Sequence, residues 1–472
     1  MLISRRNEKK ILLNALREEQ SKFIAVYGRR RIGKTFLVRE TFGNTIYFSH
    51  TGIANGNMKL QLKAFYDSAV TAGFRIGDVP KDWIEAFGAL KQFIMKSKKK
   101  KKVIFLDELS WMDTPKSNFL AALEFFWNGW ASGRKDIILV ACASSTSWII
   151  DNIIHNKGGL HNRLNYQIQL NPFSLRECEE LVKANHLVID RQDILQYYMA
   201  LGGIPYYWTL LEKGASLPQN FNRLFFAENA YLRDEYEYLY ASLFKRPEPY
   251  VAIVSALAKK KSGMTRLELI LAAHLNNSGV TTKKLRELEQ CGFIRQFREY
   301  GKEKKGSVYQ LIDNFTLFYF QFMENKSSDP NFWLHSLGTP KINTWKGLAF
   351  EHVCLQHIEQ IKNKLGIGGV VTEVYSWHCS TDVEQGISGA QIDLLIYRKD
   401  RVINVCEIKY SDSTYSVTKT VYDSVMGKIS DFRISTGTRY NLFPTLISAA
   451  DVKINTYSEK MQAVITGEDL FM

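Results

Sequence analysis

The most constraining feature of this sequence is the segment GRRRIGKT at residues 28–35, which directly follows the apolar run FIAVY. Its two glycines let the backbone curl, so that successive N–H groups point into one anion-sized concavity. We expect Lys34 to reach the β- and γ-phosphates of ATP and the Thr35 hydroxyl to bind Mg²⁺. A helix that begins near Lys34 would turn its positive end toward those phosphates. The sequence therefore predicts a P-loop.

Composition is that of an ordinary globular protein. The chain has 472 residues, of which 45% are hydrophobic and 23% charged, and this length predicts about three domains. No apolar run approaches the roughly 18 residues that cross a bilayer, and the basic start lacks an export signal, so we expect a cytoplasmic protein without a membrane partner. Six cysteines without a C-x-x-C pair favour reduced thiols over disulfides or structural zinc.

The excess of basic over acidic residues suggests an anionic partner. The net charge is +14 and the isoelectric point about 9.2, which is typical of chains that meet nucleic acid or another anionic surface. Five consecutive lysines at 98–102 contribute to it. We expect this run to be an exposed, solvated loop, with contact to nucleic acid as the alternative.

Five apolar runs predict an α/β P-loop nucleotide-hydrolase core with a parallel sheet over residues 1–171. The runs lie at 22–27, 45–50, 103–109, 136–145 and 166–170. We expect Asp107, near the end of the third run, to hold Mg²⁺ through its water shell, and Glu108 to polarise the water that attacks the γ-phosphate. An acidic pair that merely ends a strand is the alternative. The predicted ATP-binding residues are Gly28, Arg29, Arg30, Arg31, Ile32, Gly33, Lys34, Thr35, Asp107 and Ser144.

Several polar residues of this core have two interpretations. Ser144, at the end of the fourth run, could sense the γ-phosphate or simply end a strand. Arg163 lies where ring-forming ATPases often carry a catalytic arginine finger that acts on a neighbouring subunit; a plain surface arginine is the alternative. Arg29, Arg30 and Arg31 could lean toward phosphate, another subunit or DNA, although solvent exposure of at least two of them is favoured.

The pattern resembles the AAA+ and STAND P-loop ATPases, and within them the prokaryotic "archaeal-type" ATPase family. Beside the P-loop, the similarity rests on Arg5-x-x-Glu8, LDEL around Asp107, the serine-rich fourth run, LNPFS at 170–174 and GGIP at 202–205. The resemblance covers essentially the whole chain. It implies a helical lid over residues 172–245, in which GGIP breaks the helices beside the nucleotide. A helix C-cap followed by a turn would need the same residues.

Residues 246–325 predict a winged-helix domain with three short helices and a basic hairpin. Thr281 or Thr282 can cap the third helix. Its polar side carries the predicted DNA contacts, Lys283, Lys284 and Arg286. The two strands of the hairpin flank the charged turn GKEKKG at 301–306, which would form the wing. Such a domain reads DNA with a helix in the major groove and a wing on the backbone, or it packs as a regulatory or oligomerising domain.

Residues 340–472 carry the second chemical signal. Two apolar strands at 391–397 and 401–410 present Asp393 and Glu407-x-Lys409. Glu407 and Lys409 are two residues apart and therefore point to the same face, and Asp393 can approach them across the hairpin. Two carboxylates can bind Mg²⁺, which activates water, while Lys409 neutralises developing charge. Glu351, on a preceding helix, is a third acid.

This order of acids resembles the PD-(D/E)XK nuclease superfamily, and hence a restriction-endonuclease-like α/β domain. The resemblance implies that Glu351, Asp393 and Glu407 are metal ligands and that Lys409 is catalytic together with them. Ile392 stands where the motif's name has Pro. A structural hairpin with charged ends is the alternative, although acids within apolar strands are costly without partners.

The leading hypothesis is a P-loop ATPase with ATP and Mg²⁺ as cofactors, whose cycle drives or gates a DNA nuclease-like domain. In the alternative, the ATPase is a nucleotide-controlled switch, and the nuclease-like domain only binds nucleic acid or a protein. A transcription-type DNA binder is a third hypothesis. ATP, DNA and further copies of the chain in a homo-oligomer are the expected partners.

Overall fold

The computed structural model describes residues 2–75, 77–156, 158–244, 246–260, 262–301, 307–325, 329–384 and 386–472. The chain divides into two compact units. The first comprises the residues up to Pro172 and Leu239–Pro247, and the second comprises Phe173–Tyr238 and Glu248–Met472. Among the described residues, no helix is long and apolar enough to cross a membrane.

The first unit is built on a five-stranded parallel sheet in the order β2-β3-β4-β1-β5. Every residue of β1, β3 and β4 is buried, because these apolar strands are covered on both faces. The elements are α1 (Arg6–Arg17), β1 (Lys22–Gly28), α2 (Lys34–Phe42), β2 (Ile46–Thr51), α3 (Met58–Thr71), α4 (Trp83–Lys96), β3 (Lys102–Asp107), α5 (Leu109–Met112), α6 (Phe119–Gly129), β4 (Ile137–Ala143), α7 (Thr146–Ile149) and β5 (Tyr166–Leu170).

The predicted α/β parallel sheet is confirmed, but the fourth strand covers Ile137–Ala143 instead of 136–145, and the third strand is also shorter than predicted. The third strand ends at Asp107 instead of continuing to Leu109. The reason is local, since Glu108 adopts a left-handed conformation with φ 52° and α5 begins at the next residue. The turn places Asp107 and Glu108 together at the carboxyl edge of the sheet.

Helices α3, α4 and α6 cover one face of this sheet with an aromatic core. The ring centroids of Phe65 and Trp83 are 5.8 Å apart, and those of Trp83 and Phe119 are 4.9 Å apart. All three side chains are at most 1% exposed. Burying such a side chain stabilises the fold by about 1.5–3 kcal/mol. This packing holds the edge that carries Asp107 in place.

The lysine run at 98–102 is not the uniformly solvated loop that was predicted. Lys102 begins β3 and is 2% exposed, and its Nζ lies 2.6 Å from Asp136 Oδ2. Arg134 binds the same carboxylate. Partial burial opposes ionisation, but Arg134 and Lys102 outweigh it and lower the pKa of Asp136 to about 2. Only Lys98, Lys99 and Lys100 of the run are exposed.

We predict that Asp136→Asn lowers the free energy of unfolding by about 3 kcal/mol at pH 7, because it leaves the buried Lys102 ammonium without its counter-charge. The lowered pKa means that this stabilisation is present above about pH 4, the unfolded value, and is lost as the pH falls toward about 2. Urea unfolding at pH 7 and pH 3 measures both effects. The exposed Lys100→Gln is the control, and an equal effect of the two variants would contradict the prediction.

The second unit begins with helices α8 (Leu175–Ala184), α9 (Arg191–Leu201), α10 (Pro205–Trp208), α11 (Leu217–Phe221) and the first part of α12 (Glu235–Leu243). Gly202 caps α9 with φ 59°, and Pro205 opens α10. A Cβ on Gly203 would lie 1.9 Å from Phe173 O. The GGIP segment therefore ends one helix and starts the next, in agreement with the C-cap interpretation. Its predicted place beside the nucleotide stays a prediction.

The next segment contains three helices and a small antiparallel sheet in the order β6-β8-β7. Its elements are α13 (Glu248–Lys259), β6 (Met264–Thr265), α14 (Arg266–Ala272), α15 (Gly279–Gln290), β7 (Ile294–Phe297) and β8 (Val308–Leu311). Ser278, rather than the predicted Thr281 or Thr282, caps α15, because the helix starts earlier, at Gly279. Of the predicted turn, residues 302–306 lie outside the described residues. Helices α16 (Asn314–Phe318) and α17 (Phe332–His335) follow.

The last part of the second unit is a mixed sheet in the order β13-β12-β11-β10-β9. Strands β9 to β11 are antiparallel, and β11 to β13 are parallel. The elements are α18 (Pro340–Gln356), α19 (Ile358–Lys364), β9 (Thr372–Cys379), β10 (Ala390–Arg398), β11 (Val402–Lys409), α20 (Lys419–Thr436), β12 (Asn441–Ser448) and β13 (Ala463–Thr466). Helix α20 is thus the crossover between two parallel strands, and its Phe432 and Val425 share a core with Leu395 and Val405.

The predicted hairpin docks onto this second sheet. After β7, Glu299 forms a parallel bridge with Ser376 of β9, and Tyr300 N donates to Ser376 O at 2.9 Å. The Tyr300 ring then packs 5.1 Å from Phe432 and 5.6 Å from Tyr375. The hairpin therefore covers part of the β9 edge, a contact that was not predicted. Covering an edge in this way satisfies backbone groups that would otherwise face solvent.

Candidate functional sites

The P-loop wraps around the ammonium group of Lys34. Its Nζ donates to Gly28 O and Arg29 O, both at 2.9 Å, and to Ser144 Oγ at 3.0 Å. Lys34 is 5% exposed and begins α2, whose N-cap is Gly33. A buried ammonium requires acceptors on all sides, and here the loop carbonyls provide two of them. Phosphate oxygens could take this role when a nucleotide binds.

A second group of contacts joins the loop to strands β3 and β4. Thr35 Oγ1 donates to Asp107 Oδ2 at 2.7 Å, so the hydroxyl and the carboxylate can bind one Mg²⁺ together. Glu108 accepts from Ser144 N at 3.1 Å and also from the Ser144 hydroxyl. Lys34, Ser144 and Glu108 therefore form one continuous polar chain. The structure brings together five of the predicted residues at this edge, namely Lys34, Thr35, Asp107, Glu108 and Ser144.

The three loop arginines differ in their surroundings. Arg29 is 6% exposed, whereas Arg30 and Arg31 are half-buried. Arg31 adopts a positive φ of 65°. The expectation that at least two of them face solvent thus holds only partly, since the loop folds tightly enough to bury Arg29.

Arg163 is exposed in the segment that leads into β5. Asn165, two residues later, bonds to Phe23 at the start of β1. Phe23 is five residues before Gly28, which is about 16 Å along a strand. The chain two residues after Arg163 therefore lies beside the start of β1, at the end of the strand opposite to the P-loop. The role of Arg163 as a finger on another subunit stays a prediction.

In the C-terminal sheet, Glu407 is held by two lysines. Its Oε1 lies 2.8 Å from Lys409 Nζ and its Oε2 lies 2.7 Å from Lys428 Nζ of α20. Burial opposes ionisation, but the two lysines outweigh it and lower the pKa of Glu407. Burial likewise opposes the charge of Lys409, yet Glu407 and, more weakly, Glu351 raise the pKa of Lys409. Both groups are therefore charged at neutral pH.

Asp393 lies at an irregular point of β10. The antiparallel pairing of β10 with β11 begins at Leu394 and Cys406, and its continuation sets Asp393 opposite Glu407. The pairing with β9 shifts register between Ile392 and Leu395, which marks a bulge around Asp393. Gln391 donates to Asp393 Oδ1 at 2.6 Å. Bulges of this kind re-aim side chains and are frequent next to active sites.

A cleft of about 440 Å³ brings two of the predicted acids together, Glu351 of α18 and Asp393. Across the described residues, no three His, Cys, Asp or Glu side chains lie in an arrangement that could hold a metal ion. The shared metal site of Glu351, Asp393 and Glu407 therefore stays a prediction, and Lys428 is a partner of Glu407 that sequence reasoning missed. A single lysine on an amphipathic helix offered no signal for it.

The predicted DNA-contact residues lie on α15 with unequal exposure. Lys283 and Arg286 are exposed and Lys284 is half-buried. Lys284 Nζ sits 4.8 Å from the centroid of the Tyr250 ring on α13, and Lys283 Nζ is 3.9 Å from Glu287 Oε1. The helix thus carries both basic and acidic groups. Its contact with DNA stays a prediction.

Comparison with known proteins identifies the type of domain that carries the P-loop. Residues 2–211 match the family described as "ATPase domain predominantly from Archaea". They form an archaeal-type P-loop ATPase domain. This confirms the predicted resemblance to an archaeal-type ATPase domain for that part of the chain, whereas the roles of the individual site residues stay predictions.

Other similarities extend beyond the ATPase domain. An uncharacterized protein of Methanocaldococcus jannaschii is 24% identical over 441 residues, which cover 91% of this chain and 92% of that protein. A Walker-type ATPase of Pyrococcus abyssi superposes with a TM-score of 0.51 and 15% identity, covering 68% of this chain and 96% of that one. A structural similarity at 15% sequence identity shows only that the two folds are alike. The ORC2 protein of Aeropyrum pernix in its ADPNP–ADP complexes superposes with a TM-score of 0.42 and 14% sequence identity. The match covers 68% of this chain and 93% of that one.

We predict unequal costs for two glycine substitutions in the ATPase domain. Gly28 and Gly33 have φ values of 147° and 94°, but only at Gly28 would a Cβ meet another atom, Leu170 O at 2.5 Å. Gly33→Ala should cost about 1–2 kcal/mol of backbone strain, and Gly28→Ala clearly more, because the end of β5 must shift. Urea unfolding of both variants measures this. Equal losses would show that the approach of Leu170 imposes no constraint.

Proposed function

We propose that this protein is a Mg²⁺-dependent ATPase that gates a DNA-acting, nuclease-like domain. The observation that carries the ATPase part is the polar network in which Lys34, Thr35, Asp107, Glu108 and Ser144 meet at one edge of the sheet. The match of residues 2–211 to an ATPase domain family supports ATP hydrolysis as its activity.

The donor atoms at this edge fit ATP and Mg²⁺. Lys34 and the backbone N–H groups of the loop would bind the β- and γ-phosphates. The Thr35 hydroxyl and the Asp107 carboxylate, 2.7 Å apart, are hard oxygen ligands suited to Mg²⁺. Bound Mg²⁺ neutralises charge on the phosphates. Glu108 would orient the attacking water once it leaves its bonds to Ser144, and Ser144 would then face the γ-phosphate.

We predict that Lys34→Ala abolishes ATP binding, whereas Glu108→Gln retains it. The first variant removes the buried ammonium that contacts the phosphates. The second keeps the shape of residue 108 but removes the base, which should lower kcat by about 10²–10⁴-fold. Equilibrium binding of a fluorescent ATP analogue and phosphate release separate the two effects, with Lys100→Gln as the surface control. Unchanged turnover in Glu108→Gln would remove Glu108 from the mechanism.

The nuclease part of the proposal rests on the order of the helices and strands and on the charged residues of the C-terminal sheet. Two helices, three antiparallel strands, a crossover helix and a parallel strand follow one another from α18 to β12, and this α/β arrangement is compatible with the resemblance to PD-(D/E)XK nucleases. The proposed metal ligands are Glu351, Asp393 and Glu407, with Lys409 stabilising charge. The carboxylate oxygens suit Mg²⁺, but Glu407 would have to exchange at least one lysine contact for it.

DNA is the proposed partner of the segment from α13 to β8. Its three helices and antiparallel hairpin have the element order expected of a winged helix. Lys283, Lys284 and Arg286 would contact DNA, and the net charge of +14 favours such a partner. We further propose a homo-oligomer in which the exposed Arg163 acts on the nucleotide of a neighbour. Six free cysteines favour a reducing compartment such as the cytoplasm.

A second candidate is a nucleotide-controlled switch without nuclease chemistry. The observation that favours it is the pairing of Glu407 with both Lys409 and Lys428, which satisfies this carboxylate without a metal. In that case the C-terminal sheet would only bind nucleic acid or a protein.

A plasmid-nicking assay with Mg²⁺ and ATP distinguishes the two candidates. We expect the wild type to nick supercoiled DNA and Lys409→Ala to lose at least about 100-fold of that rate while its ATPase activity is unchanged. Lys399→Ala, an exposed lysine on the same hairpin, is the matched control. Loss of nicking in Lys34→Ala would show that ATP gates the site. Absence of nicking from every form, with intact ATPase activity, would favour the switch.

A further inference from the structure

The cleft beside Asp393 has a second wall that the proposed function does not use. This wall comes from the hairpin, with Arg295 and Phe297 of β7, and it faces Glu351, His352 and Asp393. All the elements concerned belong to the second unit. The cleft exists because the hairpin docks on β9 through Tyr300 and Ser376, which brings the two sheets side by side.

Arg295 is the unusual residue of this wall. Its Nε and Nη2 donate to Gln310 Oε1 at 3.1 and 2.6 Å, and its guanidinium lies 4.6 Å from the centroid of the Phe297 ring. A guanidinium has five N–H donors, so most of them remain available for a ligand. Enclosure in the wall lowers the pKa of Arg295 to about 10, and the group is still charged at neutral pH.

Two other basic residues at the cleft already contact carboxylates. Lys260 pairs with Glu268 at 2.7 Å, and His378 with Glu299 at 2.9 Å. Among the described residues, Arg295 has a neutral amide and a ring as its neighbours instead of a carboxylate. An enclosed charge without a counter-ion is unfavourable until an anion binds. The planar fork of arginine matches the oxygen geometry of phosphate.

We propose that Arg295 binds a backbone phosphate of a single nucleic-acid strand that enters this cleft. The strand would then run from Arg295 toward Glu351 and Asp393, so that Arg295 is a substrate-positioning residue. This inference rests on the proposed DNA-acting function and names its substrate class. Phe297 would offer an aromatic face on which a base can stack.

The size of the cleft favours a single strand over a duplex. Its volume of about 440 Å³ lies in the range of sites that hold one small molecule. A nucleotide at a strand end, or one displaced from a duplex, fits such a space. A duplex is too wide, since its major groove alone is about 12 Å across. The duplex would instead meet the exposed Lys283 and Arg286 of α15.

The test measures binding by fluorescence anisotropy, with a labelled 12-nucleotide single strand and a 12-base-pair hairpin duplex as the two probes. The variants are Arg295→Met, which keeps the apolar stem, Arg295→Lys, which keeps the charge, and Lys283→Glu on α15. Each is made in the full chain with Lys409→Ala as background, so that the probes stay intact. Thermal unfolding verifies that every variant is folded.

We expect Arg295→Met to weaken single-strand binding about tenfold and to reduce the slope of log K against log salt by about 0.7, the value for one lost phosphate contact. Arg295→Lys should recover the slope but only part of the affinity. Duplex binding should respond to Lys283→Glu and not to Arg295→Met. A purely structural role for Arg295 would lower the unfolding temperature and leave the salt slope unchanged.

An unchanged affinity and slope in Arg295→Met would overturn the inference. A failure of the proposed nuclease function has a different signature. If the wild type never nicks DNA but its single-strand binding still depends on Arg295, the cleft binds a strand without cutting it. The inference then stands, and the switch becomes the function of the second unit.

Discussion

The close approach of Gly28 to the end of β5 is the constraint on which the nucleotide site depends. A Cβ at this position would lie 2.5 Å from Leu170 O, so any other residue here would displace the end of β5. The resulting loop encloses Lys34, whose ammonium bonds to the carbonyls of Gly28 and Arg29. Through Ser144 the same ammonium is connected to Glu108. A single backbone contact thus organises the loop and the ends of two strands.

In the second unit, backbone hydrogen bonds hold the hairpin against strand β9. The bond from Tyr300 N to Ser376 O joins the hairpin to β9, and the Tyr300 ring packs on Phe432. This contact protects part of a sheet edge and also creates the cleft that Arg295 and Asp393 line. A hairpin that was expected to contact DNA with its tip is therefore also a structural wall. The cost of enclosing Arg295 would be offset by an anion in the cleft.

Local patterns predicted the parallel sheet well, because β1, β3 and β4 are continuous apolar runs buried on both faces. The same patterns wrongly predicted that Lys102 is solvated, because it lies within a run of five lysines. Its carboxylate partner, Asp136, lies at the start of another strand, and only the pairing of β3 with β4 brings the two together. Lys428 was missed for the same reason, since Glu407 meets it only when α20 packs on the sheet.

The sequence by itself determined that residues 28–35 form a phosphate-binding turn and that acids follow the apolar run of β3, because glycine spacing and apolar runs act over a few residues. Only the tertiary structure decided which charges meet. It joined Thr35 to Asp107 and Glu407 to two lysines, and among the described residues it gave Arg295 a neutral amide instead of a carboxylate as its hydrogen-bond partner. These outcomes depend on how strands pair and helices pack across long sequence separations. A local sequence pattern spans only a few residues and therefore does not predict such contacts.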